Sequence, residues 1–392
     1  MFPSFLSARY GARLLALTAV LFVCYLCIGM SFAVVPVYVA GTLGLDNFWA
    51  GLAAGSAFLA TIFTRTYAGG LADRLGAKPV TVRGLLVYGL GIALSWTASL
   101  SGHWTAFGLL LGGRVLLGLG ESLVAVGVIT WGIALAGVAN SGRVLALIGA
   151  AMYGALALGG PAGLVLFERL GFGGMMAVGA VLPLLALLGL APLPGVPRQA
   201  AAARRGFLPI LARIWEHGAI VCLQGIGFAA IGAFFALHFL QRHWDYAGLG
   251  LTAFGAGFVL VRMACGHLPD RVGGLPVVIV SLAVEMLGQL LIWLADGPQL
   301  ALAGAFLTGL GCSMVFPAMG REVVNRVEPA LRGTALGAFS AFQDLAYGLT
   351  GPLAGLLADR SGYGHVFLVG AAAAATGLAL ALSLRRRQSA AR

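Results

Sequence analysis

The sequence predicts an all-α polytopic membrane protein made of two pseudo-symmetric bundles of six transmembrane helices. Three observations lead there. The chain is 60% hydrophobic and 9% charged, where a soluble domain carries about 25% charged residues. Apolar segments of about 20 residues, enough for a helix to cross a bilayer, recur from end to end. The polar stretch Gly69-Gly70-Leu71-Ala72-Asp73-Arg74-Leu75-Gly76-Ala77-Lys78 returns in reduced form as Gly266-His267-Leu268-Pro269-Asp270-Arg271-Val272-Gly273, 197 residues later. Arg65 and Arg262 each stand four residues before their copy. An offset of half the chain is the mark of an internal duplication.

Twelve spans are predicted, at residues 14–39, 48–68, 79–98, 105–134, 144–166, 173–193, 214–240, 247–266, 275–294, 299–320, 333–357 and 364–384. The basic start followed by an apolar run has the order of a signal peptide. The run from Leu14 to Val39 is too long for one and leads into further spans, so it is expected to be the first transmembrane helix. An even number of spans puts both termini on one side. With the termini in the cytoplasm, eighteen of the 24 Lys and Arg lie on the cytoplasmic side. Arg169, Arg242 and Arg360 lie outside, and Arg65, Arg114 and Arg262 lie within spans. That asymmetry sets the orientation. The net charge of +11 is distributed over segment ends, which argues against a nucleic-acid partner.

The longest connection separates the sixth and seventh spans. It divides the chain into an N-terminal bundle (1–195), a cytoplasmic linker (196–213) and a C-terminal bundle (214–392). Residues 207–215 are expected to form a short helix on the inner membrane surface. The 60 glycines suit close helix approach. The five cysteines are Cys24, Cys27, Cys222, Cys265 and Cys312. Cys24-x-x-Cys27 has redox or metal spacing, but no His or carboxylate stands beside it. The thiols are expected to be small core residues, and no metal is expected.

Two patterns carry chemistry on their own terms. Arg114 and Glu121 are seven residues apart in the fourth span, on one helix face. Charges at that depth are costly in lipid and should face the bundle interior or a watery cavity. Asp344, beside Gln343, lies twelve residues in from Arg332, near the middle of a roughly 30 Å core. Glu121 and Asp344 are the candidate proton carriers, and Arg114 is a candidate charge partner or substrate contact.

The Asp73 loop resembles motif A of the major facilitator superfamily, with a degenerate second copy between the eighth and ninth spans. Ala77 departs from the Arg found in many members. Arg114, Gly118 and Gly120 resemble motif B, which is associated with proton-linked transport; Leu117 departs from its usual Gln. Gly159-Gly160-Pro161-Ala162-Gly163 is similar to motif C of drug:proton antiporters, with Leu156 where a Gly is expected. Thr130-Trp131-Gly132, the stretch 151–157 and the stretch 341–346 look like those of bacterial members regarded as sugar-efflux permeases.

The resemblance covers the whole chain and implies proton-coupled export of a small organic solute across a bacterial inner membrane by alternating access, with the protein acting as a monomer. It gives a gating role to Gly69, Asp73, Arg74, Gly76, Lys78, Gly266, Asp270 and Arg271, with Asp73 helping to hold the halves in the outward-open state. The superfamily plan lines the cavity with spans one, four, seven and ten. That makes Tyr25, Tyr38, Trp131, Gln224, His238 and Phe316 substrate candidates, with His238, near a span end, expected to meet water; Gln343 joins them from the eleventh span. Glu285, on a peripheral helix, is expected to be structural.

No Gly-x-x-x-x-Gly-Lys-Ser/Thr stretch occurs, so an ATP-driven pump within this chain is not expected, nor is a cofactor. Proton-coupled or facilitated uptake is the alternative mode of transport. A membrane sensor on the same fold is a more distant one. An intramembrane enzyme would need a nucleophile–base pair or metal cluster that the sequence does not offer, and no catalytic residue is expected.

Overall fold

A computed structural model describes residues 8–137, 140–196, 207–328 and 332–390. The chain forms α1 (Ala8–Val37), continued by a π-helical turn (Tyr38–Thr42), then α2 (Asn47–Leu75) and α3 (Ala77–Thr97). A 3₁₀ turn (Ala98–Leu100) leads to α4 (His103–Ala136) and α5 (Ser141–Leu190). The second half holds α6 (Phe207–Gln241), α7 (Leu249–Cys265), the short α8 (Leu268–Val272), α9 (Gly274–Trp293), α10 (Pro298–Asn325), α11 (Arg332–Ser361) and α12 (Gly364–Ala390).

Among the described residues, nine helical segments are long and apolar enough to cross a membrane. Three further crossings complete the twelve. The 50-residue α5 is two spans run together, broken at Gly171, whose φ of 69° lies in the left-handed region that glycine tolerates. The 17-residue α7 is a short apolar helix, and α11, 30 residues long, carries Asp344 in its interior.

The region between the halves differs from expectation. α6 begins at Phe207 and runs unbroken to Gln241, so the surface helix expected over 207–215 is the first two turns of a spanning helix. Arg213, Glu216 and His217 interrupt the apolar run, but nothing in it stops the backbone ladder. Residues 197–206 of the expected linker lie outside the described residues, as do Met1–Ser7 and the C-terminal Ala391 and Arg392.

The repeat is visible in the backbone. Gly76 (φ 89°) separates α2 from α3, and Gly273 (φ 90°) separates α8 from α9. Both positions need a left-handed residue to reverse the chain within one step. In the N-terminal bundle α1 packs on α5, and α3 packs on α4 and α5. In the C-terminal bundle α6 packs on α11, and α9 packs on α10 and α12. The bundles meet along two seams, α2 against α11 and α5 against α7, with α1 touching α6 between them.

The face carrying the start of α1 and the end of α12 is termed the terminal face, and the opposite one the far face. The bundles are joined toward the far face. There Asp359 Oδ1 accepts hydrogen bonds from Asn47 N (3.1 Å) and Asn47 Nδ2 (2.7 Å), and the Tyr363 hydroxyl donates to Asn47 Oδ1 at 2.8 Å. Glycines let α2 and α11 touch backbone to backbone. A Cβ on Gly51, Gly55, Gly351 or Gly355 would overlap the main chain of the opposite helix. On the other seam Thr252 Oγ1 donates to Ala157 O at 2.6 Å. Toward the terminal face the same helices stand free. A Cβ on Gly69 (α2), Gly149 or Gly154 (α5), or Gly337 (α11) would meet nothing within 4 Å. Among the described residues, the hydrogen bonds and close glycine contacts between the bundles therefore gather toward the far face, with open space beside these glycines toward the terminal face.

A charge cluster and aromatic belt between the bundles

Buried charge inside a membrane protein must be paired or solvated. Asp344, on α11, is 4% exposed and receives a two-pronged contact from Arg65, on α2. Arg65 Nε lies 2.6 Å from Asp344 Oδ2, and its terminal nitrogen lies 3.1 Å from Oδ1. The fork matches the planar guanidinium to the planar carboxylate. The pair bridges the two bundles. Glu121, on α4, is also buried, and its Oε1 accepts a 2.6 Å hydrogen bond from the Tyr25 hydroxyl on α1. Arg65 attracts the Glu121 carboxyl as well. Glu121, Arg65, Asp344 and Tyr25 thus form one cluster fed by four helices. Beside it Thr64 and Ser122 share a 2.8 Å hydrogen bond that ties α2 to α4.

Toward the far face a belt of rings covers this cluster. Phe32 (α1) packs edge-on to Phe58 (α2) at 5.5 Å and against Phe228 (α6) at 5.6 Å. Tyr347 (α11) meets Phe58 at 5.2 Å and Phe228 at 4.8 Å. Tyr153 (α5) stacks on Phe258 (α7) with centroids 3.5 Å apart. Six helices, three from each bundle, contribute to a barrier that is apolar in bulk and edged by tyrosine hydroxyls.

Arg114 does not pair with Glu121. Its side chain is buried, and Nε and one terminal nitrogen donate to Ala53 O (3.2 Å) and Ala54 O (3.1 Å) on α2. Its position seven residues before Glu121 does not make it that residue's charge partner. The guanidinium turns sideways onto the α2 carbonyls, and the cation whose field reaches Glu121 is Arg65. Sequence reasoning used Arg65 only as a marker of the repeat. The available signal was that it is one of three arginines within the spans.

The remaining candidates divide. Tyr25 is in the cluster. Tyr38 is not: it stacks on Phe172 at 3.7 Å inside the N-terminal bundle. Trp131 is buried in the same core. Gln224 faces Cys312, which in turn faces Glu285, all inside the C-terminal bundle. Phe316 packs on Phe339 at 4.9 Å. Gln343 is half-buried next to Asp344. His238 is buried, 5.6 Å from the rings of Trp244 and Phe367, where contact with water was expected. Glu285 is fully buried, with no basic group against it among the described residues.

The motif residues lie at the terminal face. Gly69 and Gly76 flank the last turns of α2, with Asp73 and Arg74 exposed between them. Asp73 has no hydrogen-bond or ionic partner among the described residues. Lys78 Nζ donates to Ala191 O (3.0 Å) and Leu193 O (2.6 Å), both within its own bundle. In the second copy Gly266 follows α7, and Asp270 pairs with Arg321 at 3.4 Å on the surface, with Arg271 exposed beside it.

Twelve crossings in two bundles, with charges held between them at mid-depth, define a polytopic solute transporter. The family model of the Major Facilitator Superfamily matches residues 17–247 and 218–392. An uncharacterized MFS-type transporter of Salmonella typhimurium is 44% identical over 389 residues, covering 98% of this chain and all of that one. One from Burkholderia mallei is 42% identical over 386 residues, with 96% and 93% covered. Among solved structures, a mutant of the nucleoside transporter NupG is similar with a TM-score of 0.78 at 17% identity, covering 94% of this chain and 99% of that one. The E. coli fucose:proton symporter FucP gives 0.65 at 17%, covering 95% and 98%. The chain belongs to the Major Facilitator Superfamily and is a membrane transporter rather than an enzyme.

Proposed function

We propose that this transporter exports a small organic solute in exchange for protons, by rocking its two bundles around the charge cluster. The observation that carries the reading is the pair of buried carboxyls, Glu121 and Asp344, held between the bundles and coupled through Arg65. In the first half of a cycle a solute entering from the parted terminal face would compete for these groups. Protonation of Glu121 would release its hold on Arg65, and Arg65–Asp344 would then open or close with the bundles.

With the termini in a bacterial cytoplasm, as the basic residues favour, the terminal-face opening is inward-facing. The unpartnered Asp73 then belongs to the released position of a lock that forms when the inner side closes. The protein would act as a monomer in the inner membrane, its halves being the two bundles on either side of the linker.

The test uses purified protein in liposomes with an imposed pH gradient and a solute panel. Solute movement should follow the gradient, and Glu121→Gln or Asp344→Asn should break the dependence while leaving downhill exchange. If both variants keep the wild-type dependence, the proton assignment fails. If movement is driven equally well with no gradient, coupling itself fails.

A further inference from the structure

The internal duplication supplies an asymmetry that the charge cluster alone hides. Arg262 stands 197 residues after Arg65, at the offset of the repeated motif. Gly351-Pro352 in α11 stands 191 residues after Gly160-Pro161 in α5, and the same shift places Asp344 opposite Tyr153. The structure pairs these positions as the repeat requires. Arg65 meets Asp344 across the α2–α11 seam, and Arg262 lies over the Phe258 ring that stacks on Tyr153 across the α5–α7 seam. The α2–α11 seam therefore holds both cation and acid, whereas the α5–α7 seam holds the cation and has a phenol in place of the acid.

Arg262 has no hydrogen-bond or ionic partner among the described residues, and its Nε is buried without one. Its guanidinium carbon sits 5.1 Å from the centre of the Phe258 ring, which is itself stacked on Tyr153 in the aromatic belt. The side chain does not belong to the lipid face of α7. Leu260 (56% exposed) and Met263 (79%) mark that face, and Phe258 and Arg262, one turn apart, lie on another. Nor is it a surface residue surrounded by bulk water, because the guanidinium lies over the Phe258 ring and its Nε is buried. A half-buried cation with no counter-charge at this depth is costly unless something anionic joins it.

We infer that Arg262 is the anion-recognition residue of the transported solute, and that the cargo is an organic carboxylate with a flat apolar body. The guanidinium fork takes the carboxylate in the two-pronged geometry that Asp344 takes from Arg65. Tyr153 lies in the ring belt beside it, and the packed rings of Phe228 and Phe258 make its surroundings apolar, which suits a carboxylate carried on an apolar body. The inference rests on the transport reading above, for which it names the substrate class.

The test separates the two. Purified full-length protein is titrated with benzoate and, as its neutral isostere, benzamide, with thermal stabilisation as the readout. Benzoate should stabilise the wild type and benzamide should not. Arg262→Gln should weaken the benzoate effect by about 10-fold or more. Arg262→Lys should fall between, because it keeps the charge and loses the fork. Arg262→Lys also serves where Arg262→Gln fails to fold as judged by gel filtration.

Equal response to benzoate and benzamide, no response to benzoate, or an undiminished response in both variants overturns the proposal. The lipid alternative is tested in nanodiscs. If phosphatidylglycerol abolishes benzoate binding while phosphatidylcholine does not, Arg262 holds a headgroup and the cargo assignment is wrong. Binding that depends on Arg262 but leads to no movement of benzoate in liposomes sinks the transport reading and leaves the anion site standing. Movement of a neutral solute, unaffected by Arg262→Gln, does the reverse.

Discussion

Removing the Asp344 carboxylate should shift the protein away from the far-face-closed arrangement. The Arg65–Asp344 contact is the ionic bridge between the bundles among the described residues, and it is two-pronged at 2.6 and 3.1 Å. Breaking a fully buried pair by deleting one partner costs about 3–5 kcal/mol. Here the Arg65 side chain is 32% exposed, so water would take up part of its charge, and the figure falls to about 1–3 kcal/mol. If the pair exists only in this arrangement, Asp344→Asn should change the ratio of closed to open by about 5- to 150-fold.

Spin labels at the exposed Leu100 and Tyr246, in opposite bundles at the far face, report the separation by pulsed dipolar spectroscopy. The variant should populate a longer distance, and Arg65→Gln should do the same. Combining both should add little, since the second change removes a group already without its partner. Unchanged distance distributions in all three variants would mean that the pair survives rocking and holds nothing shut.

Other outcomes follow from the packing. Gly351→Val places side-chain atoms in the α2 backbone, so it should prevent far-face closure and reduce solute movement at least ~10-fold while the purified protein stays monodisperse on gel filtration. Arg114→Lys loses at least one of two hydrogen bonds to α2 carbonyls; it should lower thermal stability by about 1–2 kcal/mol and leave the pH dependence of transport intact, as measured in the same liposomes. Glu285→Gln removes a carboxyl that faces a thiol and no cation, so the melting temperature should hold or rise; a clear fall would show that the acid has a partner there. Asp73→Asn should leave the far-face distances unchanged, because Asp73 has no partner in this arrangement, yet should disfavour the opposite one in terminal-face distance measurements.

The architecture was largely legible in the sequence because bilayer thickness imposes a length on every element and the repeat imposes a symmetry. The site was less so. Helix periodicity correctly put Arg114 and Glu121 inward, but periodicity describes one helix and cannot say which neighbour a long side chain reaches. Arg114 reached carbonyls, and Glu121 reached Tyr25 and the field of Arg65. The aromatic belt escaped for a related reason. Phe32, Phe58, Tyr153, Phe228 and Tyr347 are scattered over five helices, and each alone looks like a packing residue. The start of α6 was also obscured, because Arg213, Glu216 and His217 read as a break between a surface segment and the seventh span, whereas the helix runs through them.

The glycine seam between α2 and α11 has a further consequence. Where Gly51 meets Gly351 and Gly355 meets the Asn47 carbonyl, there are no side chains to rotate out of the way, and main chain rests directly on main chain. Such a joint cannot yield by degrees. A displacement of an ångström or so forfeits most of its dispersion contact, so partial separation has little to stabilise it. The seam acts as a latch with two positions. A carrier built this way should spend little time ajar and so should leak few ions between cycles.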